Sequence, residues 1–116
     1  MPLDEGPGYF EFDPALEICL YLPRAEDDSA ETLAAEWADC PQLVMVDVSE
    51  GRRMGDMGLK ALARLHQLRE LNASACGISN EGIEFLFEMP NLQRLNISHC
   101  TGIGDLGLRR IEQMRN

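Results

Sequence analysis

Apolar positions recur along the second two-thirds of the chain in two alternating periods. In Val46-Asp47-Val48, Leu71-Asn72-Ala73 and Leu95-Asn96-Ile97, apolar and polar residues alternate, the pattern of a short strand with one buried face. Downstream, Leu59, Leu62 and Leu65 recur every third residue, as do the trios beginning at Ile83 and Leu108, which is the spacing of one side of a helix. Each unit predicts strand, loop, helix.

The units are copies of one another. Segments 43–67, 68–91 and 92–116 align position by position: Leu43/Leu68/Leu92, Val46/Leu71/Leu95 and Val48/Ala73/Ile97 lead. After a loop come Met54/Ile78/Ile103, Asp56/Asn80/Asp105, Gly58/Gly82/Gly107, Leu59/Ile83/Leu108, Leu62/Leu86/Ile111 and Leu65/Met89/Met114. No single unit can bury its apolar side alone, so the copies must stack, strand on strand at about 4.8 Å. The predicted fold class is α/β: a short right-handed solenoid with a parallel sheet on its concave side and helices on its convex side.

Residues 1–42 read as an acidic N-terminal cap, a degenerate repeat ahead of the three. Tyr9-Phe10-Glu11-Phe12 and Ile18-Cys19-Leu20-Tyr21-Leu22, separated by Asp13-Pro14-Ala15, have the alternation and turn signal of a β-hairpin. Ser29 is placed to cap a helix over 30–38, with Ala34, Trp37 and Cys40 facing the core and Pro41 ending it.

The pattern LxxLxLxxCxxIxDxGLxxLxxLpx resembles the cysteine-containing, GALA-like class of leucine-rich repeats. Cys76 and Cys100 carry it in the second and third copies, and Gly51 takes that slot in the first. The resemblance implies a repeat protein that acts by binding another protein. It implies no particular partner, because this architecture serves many.

Charge and composition narrow the function further. The chain has 20 acidic and 10 basic residues for a net charge of −10, which repels phosphate and argues against nucleic acid as a partner. Residues 1–50 hold 13 acidic residues and only Arg24 on the basic side, whereas residues 51–116 hold 7 acidic and 9 basic ones. No stretch has the roughly 18 consecutive apolar residues of a membrane helix, and the acidic opening MPLDEGPGYF is unlike a signal peptide. A cytoplasmic location, with four free thiols, is the expectation.

Several apparent chemical motifs are explained by the repeat. Gly102-Ile103-Gly104-Asp105-Leu106-Gly107 spells a dinucleotide fingerprint, but the same slot reads CGISNEG and GRRMGDMG in the other copies, so no nucleotide cofactor is implied. Cys76 and Cys100 lack CxxC spacing and further ligands, so they read as core residues and no metal is expected. His99 beside Cys100 suggests a catalytic pair, yet strand neighbours point to opposite faces. With no nucleophile and base at credible spacing, the chain is expected not to be an enzyme. The alternative is a STAS-like regulatory domain of the anti-sigma-antagonist type, to which LVMVDVSEGRRMGDMGLKAL is similar, although Gly55-Asp56-Met57-Gly58 occupies the place of its phosphorylatable serine.

The binding surface is therefore expected on the exposed positions of the concave strands: Met45, Asp47, Ser49 and Glu50; Glu70, Asn72, Ser74 and Ala75; Arg94, Asn96, Ser98 and His99. The expected partner is a protein. Because the apolar side of the third copy has a neighbour on one side only, a homodimer through the C-terminal coil is a further expectation.

Overall fold

The computed structural model describes residues 17–113, which form strands and helices in strict alternation. In order these are β1 (Ile18–Tyr21), α1 (Asp27–Trp37), β2 (Leu43–Asp47), α2 (Asp56–Leu62), β3 (Glu70–Asn72), α3 (Ile83–Leu86), β4 (Arg94–Asn96) and α4 (Asp105–Ile111). A 3₁₀ turn, Asn80–Gly82, runs directly into α3. All four strands belong to one parallel sheet in chain order, and consecutive helices pack against one another.

The register reproduces the sequence alignment. Val46 pairs with Leu71 and Leu71 with Leu95, while Asp47, Asn72 and Asn96 form the next row. Leu20 and Tyr21 extend both rows into β1. Val46 and Leu71, each flanked by a coil on both sides, are buried, and the end residues Leu20 and Leu95 are only partly so. Leu43, Leu62, Leu65, Leu68, Met54, Ile78, Ile83 and Leu86 fill the space between sheet and helices. Burying an aliphatic side chain of this kind contributes about 1.5–3 kcal/mol.

Polar side chains tie each coil to the next at the head of its helix. Asp27 Oδ1 accepts from the Gly55 and Gly58 backbone N–H groups at 2.8 and 2.9 Å. Asp56 accepts from the Ser79 backbone and hydroxyl, and Asn80 Oδ1 accepts from Gly104 and Gly107 at 2.8 and 3.1 Å. Helix N-termini leave backbone donors without intrahelical partners, and here the preceding coil supplies the acceptors. At the opposite end of the helices, Gln67 Nε2 donates to the Trp37 and Cys40 carbonyls and Asn91 Nδ2 to that of His66, all at 2.9 Å.

Two expectations for the N-terminal region change, and a third falls outside the described residues. The helix runs Asp27–Trp37, with Glu26 as its N-cap residue; Ser29 lies in the first turn, where its Oγ accepts the Glu26 N–H at 3.2 Å. Ala30, Leu33 and Ala34 carry its buried side, while Trp37 and Cys40 are half-buried. The strand expected over 18–22 forms and pairs in parallel with β2. Its expected hairpin partner, Tyr9–Phe12, lies outside the described residues, as does Met114.

A candidate protein-binding face

The polar side of the sheet is built from two rows set by the register. Cys19, Met45, Glu70 and Arg94 form one; Tyr21, Asp47, Asn72 and Asn96 form the other. Ser49, Ser74 and Ser98 follow in the turns beyond the strands. The structure thus brings together Met45, Asp47, Ser49, Glu70, Asn72, Ser74, Arg94, Asn96 and Ser98 on one side.

Their availability is uneven. Asp47 Oδ1 accepts from the Ser49 backbone and hydroxyl at 2.9 and 2.6 Å, and Asp47 Oδ2 accepts from Asn72 Nδ2 at 3.3 Å. Asn72 Oδ1 accepts the Ser74 N–H at 3.2 Å, and Asn96 Oδ1 accepts from the Ser98 backbone and hydroxyl at 3.0 and 2.7 Å. These are Asx turns, in which a short polar side chain closes the loop that follows it. The middle rows therefore spend acceptor capacity on their own turns. The outer row, Met45, Glu70 and Arg94, has no such bond among the described residues.

Beyond each strand the chain turns through a left-handed residue at an equivalent position: Arg24 (φ 56°), Glu50 (φ 65°), Ala75 (φ 58°) and His99 (φ 62°). Side chains rarely adopt this conformation, at a cost of about 1–2 kcal/mol each. It corrects two expectations. Ala75 is buried and leaves the exposed set. Exposed His99 and buried Cys100 do diverge, but through this turn, since β4 already ends at Asn96.

The thiols are held from below. Cys76 Sγ donates to the Val48 carbonyl at 3.2 Å and Cys100 Sγ to that of Ala73 at 3.1 Å, each reaching back one coil. Burial pushes the Cys76 thiol up to about 11, away from the range of a reactive thiolate. Gly51 occupies the slot in the first copy because a Cβ there would lie 2.8 Å from the Ala25 carbonyl and 2.9 Å from that of Val48. The glycines of the apparent dinucleotide motif are also explained by stacking. A Cβ on Gly102 would lie 2.8 Å from the Ile78 carbonyl, and one on Gly107 would strike Asn80 Oδ1.

Sequence reading missed the contribution of β1. Tyr21 is 66% exposed and stands in the row of Asp47, Asn72 and Asn96. With Pro23, Arg24, Asp47, Ser49 and Glu50 it lines an open hollow of about 540 Å³. The alternation Cys19/Tyr21 against Ile18/Leu20/Leu22 carried the signal, but assigning that run to a hairpin removed it from the repeat rows. On the helical side, Arg110 donates to both oxygens of Glu84 at 2.8 and 3.1 Å and lies 4.0 Å from the centre of the Phe87 ring. That hydrogen bond holds the Glu84 carboxyl below its usual range. Among the described residues no three His, Cys, Asp or Glu side chains gather where they could hold a metal ion, and no helix is long and apolar enough to cross a membrane.

Comparison with known proteins agrees with the repeat alignment. The family model of the leucine-rich repeat matches residues 88–111, which span the third copy from just before Leu92 to the end of α4. That match supports reading the repeats of this chain as leucine-rich repeats. It is 29% identical over 101 residues to the antagonist of mitotic exit network protein 1 of Eremothecium gossypii, a match covering 76% of this chain and 26% of that relative. The chain thus spans about a quarter of the length of that curated protein. Nothing in the sheet order or in these comparisons supports the STAS-like alternative.

Proposed function

We propose that this chain is a protein-interaction module that performs no chemistry and binds its partner through the polar side of the sheet. The parallel strands in chain order, with helices packed in series, support a right-handed solenoid whose concave side is that face. Leucine-rich repeats as a class favour a protein partner, and the net charge of −10 disfavours nucleic acid. Free cysteines at 19, 40, 76 and 100 suit a reducing compartment such as the cytoplasm.

One observation carries the reading: exposed Tyr21 beside the hollow lined by Arg24, Asp47 and Glu50. Tyrosine and arginine are enriched among residues that dominate binding energy, because they bury large area and keep a polar end satisfied. The small Asn and Ser rows flank this anchor and contribute complementarity. The test is site-specific photocrosslinking from position 21, with Met57 on α2, 55% exposed, as the control. Adducts from position 21 alone support the reading; adducts from position 57 alone move the interface to the helical side.

A further inference from the structure

The turn after β2 carries a charge that its own geometry does not need. Asn72 Oδ1 and Asn96 Oδ1 close the two later turns by accepting the Ser74 and Ser98 N–H groups, and Asp47 Oδ1 makes the same bond to Ser49. An amide therefore suffices for this turn, and the carboxylate is an addition. Its acceptor capacity is not exhausted. Oδ1 accepts twice from Ser49, whereas Oδ2 accepts once, from Asn72 Nδ2 at 3.3 Å, which leaves an acceptor site on Oδ2. All these donors are neutral, and among the described residues Asp47 is in no ion pair.

Asp47 lines the hollow beside Tyr21 together with Arg24 and Glu50. The hollow lies between the turns that follow β1 and β2, away from the last coil of the array. Glu50 pairs with Arg52 at 3.5 Å, but both side chains are well exposed, and such a pair is readily exchanged for another. The surrounding units have one sign: residues 17–50 hold nine acidic residues against Arg24 alone on the basic side.

We propose that the hollow seats a lysine or arginine side chain of the protein partner. The proposal rests on the reading of Tyr21 as an anchor and adds the charge of the group that meets it. The cation lies on the face of the Tyr21 ring and donates to Asp47 Oδ2, and Glu50 turns from Arg52 to join it. The acidic first units draw a cationic segment in from solution. Residues 1–16 contain no lysine or arginine, so that segment of the chain does not supply the cation. Arg24, the like charge at the rim, opposes it, which gives the effect of removing Arg24 a definite sign.

The test is titration of nitrogen-15-labelled protein with acetylated, amidated pentapeptides of sequence Gly-Arg-Gly-Arg-Gly, with lysine and glutamate versions, followed by amide chemical shifts. The arginine and lysine peptides should shift the Tyr21, Arg24, Ser49 and Glu50 amides, and the glutamate peptide should not. Asp47→Asn, which copies the residue of the later coils, and Glu50→Gln should each weaken binding about threefold or more, while Arg24→Gln should tighten it by a similar factor. Raising salt from about 0.02 to 0.5 M should weaken it as well. No shift with the basic peptides at about 10 mM, equal or tighter binding of the glutamate peptide, unchanged affinity in Asp47→Asn, or weaker binding in Arg24→Gln would each overturn the proposal. Crosslinking from position 21 reads the underlying claim separately. Adducts there alongside an overturning peptide result keep the interface and remove the cation; no adducts there remove the interface itself.

Discussion

The carboxylate of Asp27 stands directly over Gly58, accepting its backbone N–H at 2.9 Å and occupying a point 2.7 Å from where a Cβ on Gly58 would sit. Close approach and hydrogen bond depend on the same absent side chain. Asp56 over Gly82 and Asn80 over Gly107 repeat the crowding, and in the latter pair the bond as well. The recurrent acid and glycine of the repeat are therefore one device: an acceptor on one coil and a bare helix turn on the next.

Gly58→Ala is accordingly expected to destabilise, although alanine within a helix normally gains up to about 1 kcal/mol over glycine. The new methyl displaces the Asp27 carboxylate from two backbone donors, and the net loss should be about 1–3 kcal/mol. Chemical denaturation of parent and variant checks it; a variant as stable as the parent contradicts the account.

Cys76→Ala and Cys100→Ala should each cost about 1–2 kcal/mol through lost packing and a lost thiol hydrogen bond to the Val48 or Ala73 carbonyl. The polar side of the sheet should be untouched, so crosslinking from position 21 should persist in both. Gly51→Cys, which makes the first copy match the others in sequence, should destabilise because the Ala25 and Val48 carbonyls leave no room. Thermal melts of the three variants decide this.

Stability should fall between about pH 9 and 11. The Cys76 thiol has its folded value raised from 9.0 to about 11 by burial, so over that window the unfolded chain has released the proton while the folded chain still holds it. Alkali then favours unfolding, and the contribution intact below pH 9 is lost as pH rises through the folded value. The loss should be on the order of 2 kcal/mol. Urea midpoints taken from pH 8 to 10.5 should fall more steeply for the parent than for Cys76→Ala; equal slopes would remove the thiol from the explanation.

Tyr21→Ala should weaken partner binding by about 2 kcal/mol, the effect of a central anchor, while leaving the melting temperature almost unchanged because the ring is mainly in solvent. Glu70→Ala combined with Arg94→Ala should cost more than about 1 kcal/mol in binding if the outer row also contributes. Calorimetric titration with the captured partner measures both. Full affinity after loss of Tyr21 would place the interface away from the hollow.

The sequence by itself determined the repeat, its register and its class. Alternation at Val46-Asp47-Val48 and its copies is a property of neighbouring residues, and the trios at Leu59, Ile83 and Leu108 carry helical spacing wherever they are placed. Position-by-position agreement among three copies then fixed which residue faces which across the sheet, as the pairing of Val46, Leu71 and Leu95 shows. Tertiary structure decided what depends on distances between coils. Gly51 replaces a cysteine because the Ala25 carbonyl comes close, and Leu108 is exposed where Leu59 is buried because no described coil follows it. Asp47, Asn72 and Asn96 look free in the alternation and are tied into their own turns. Tyr21 joined the polar row of Asp47, Asn72 and Asn96 only when β1 paired in parallel with β2. A strand's pattern states which side is polar, but it does not name the neighbour beside it; that choice is made when the coils stack.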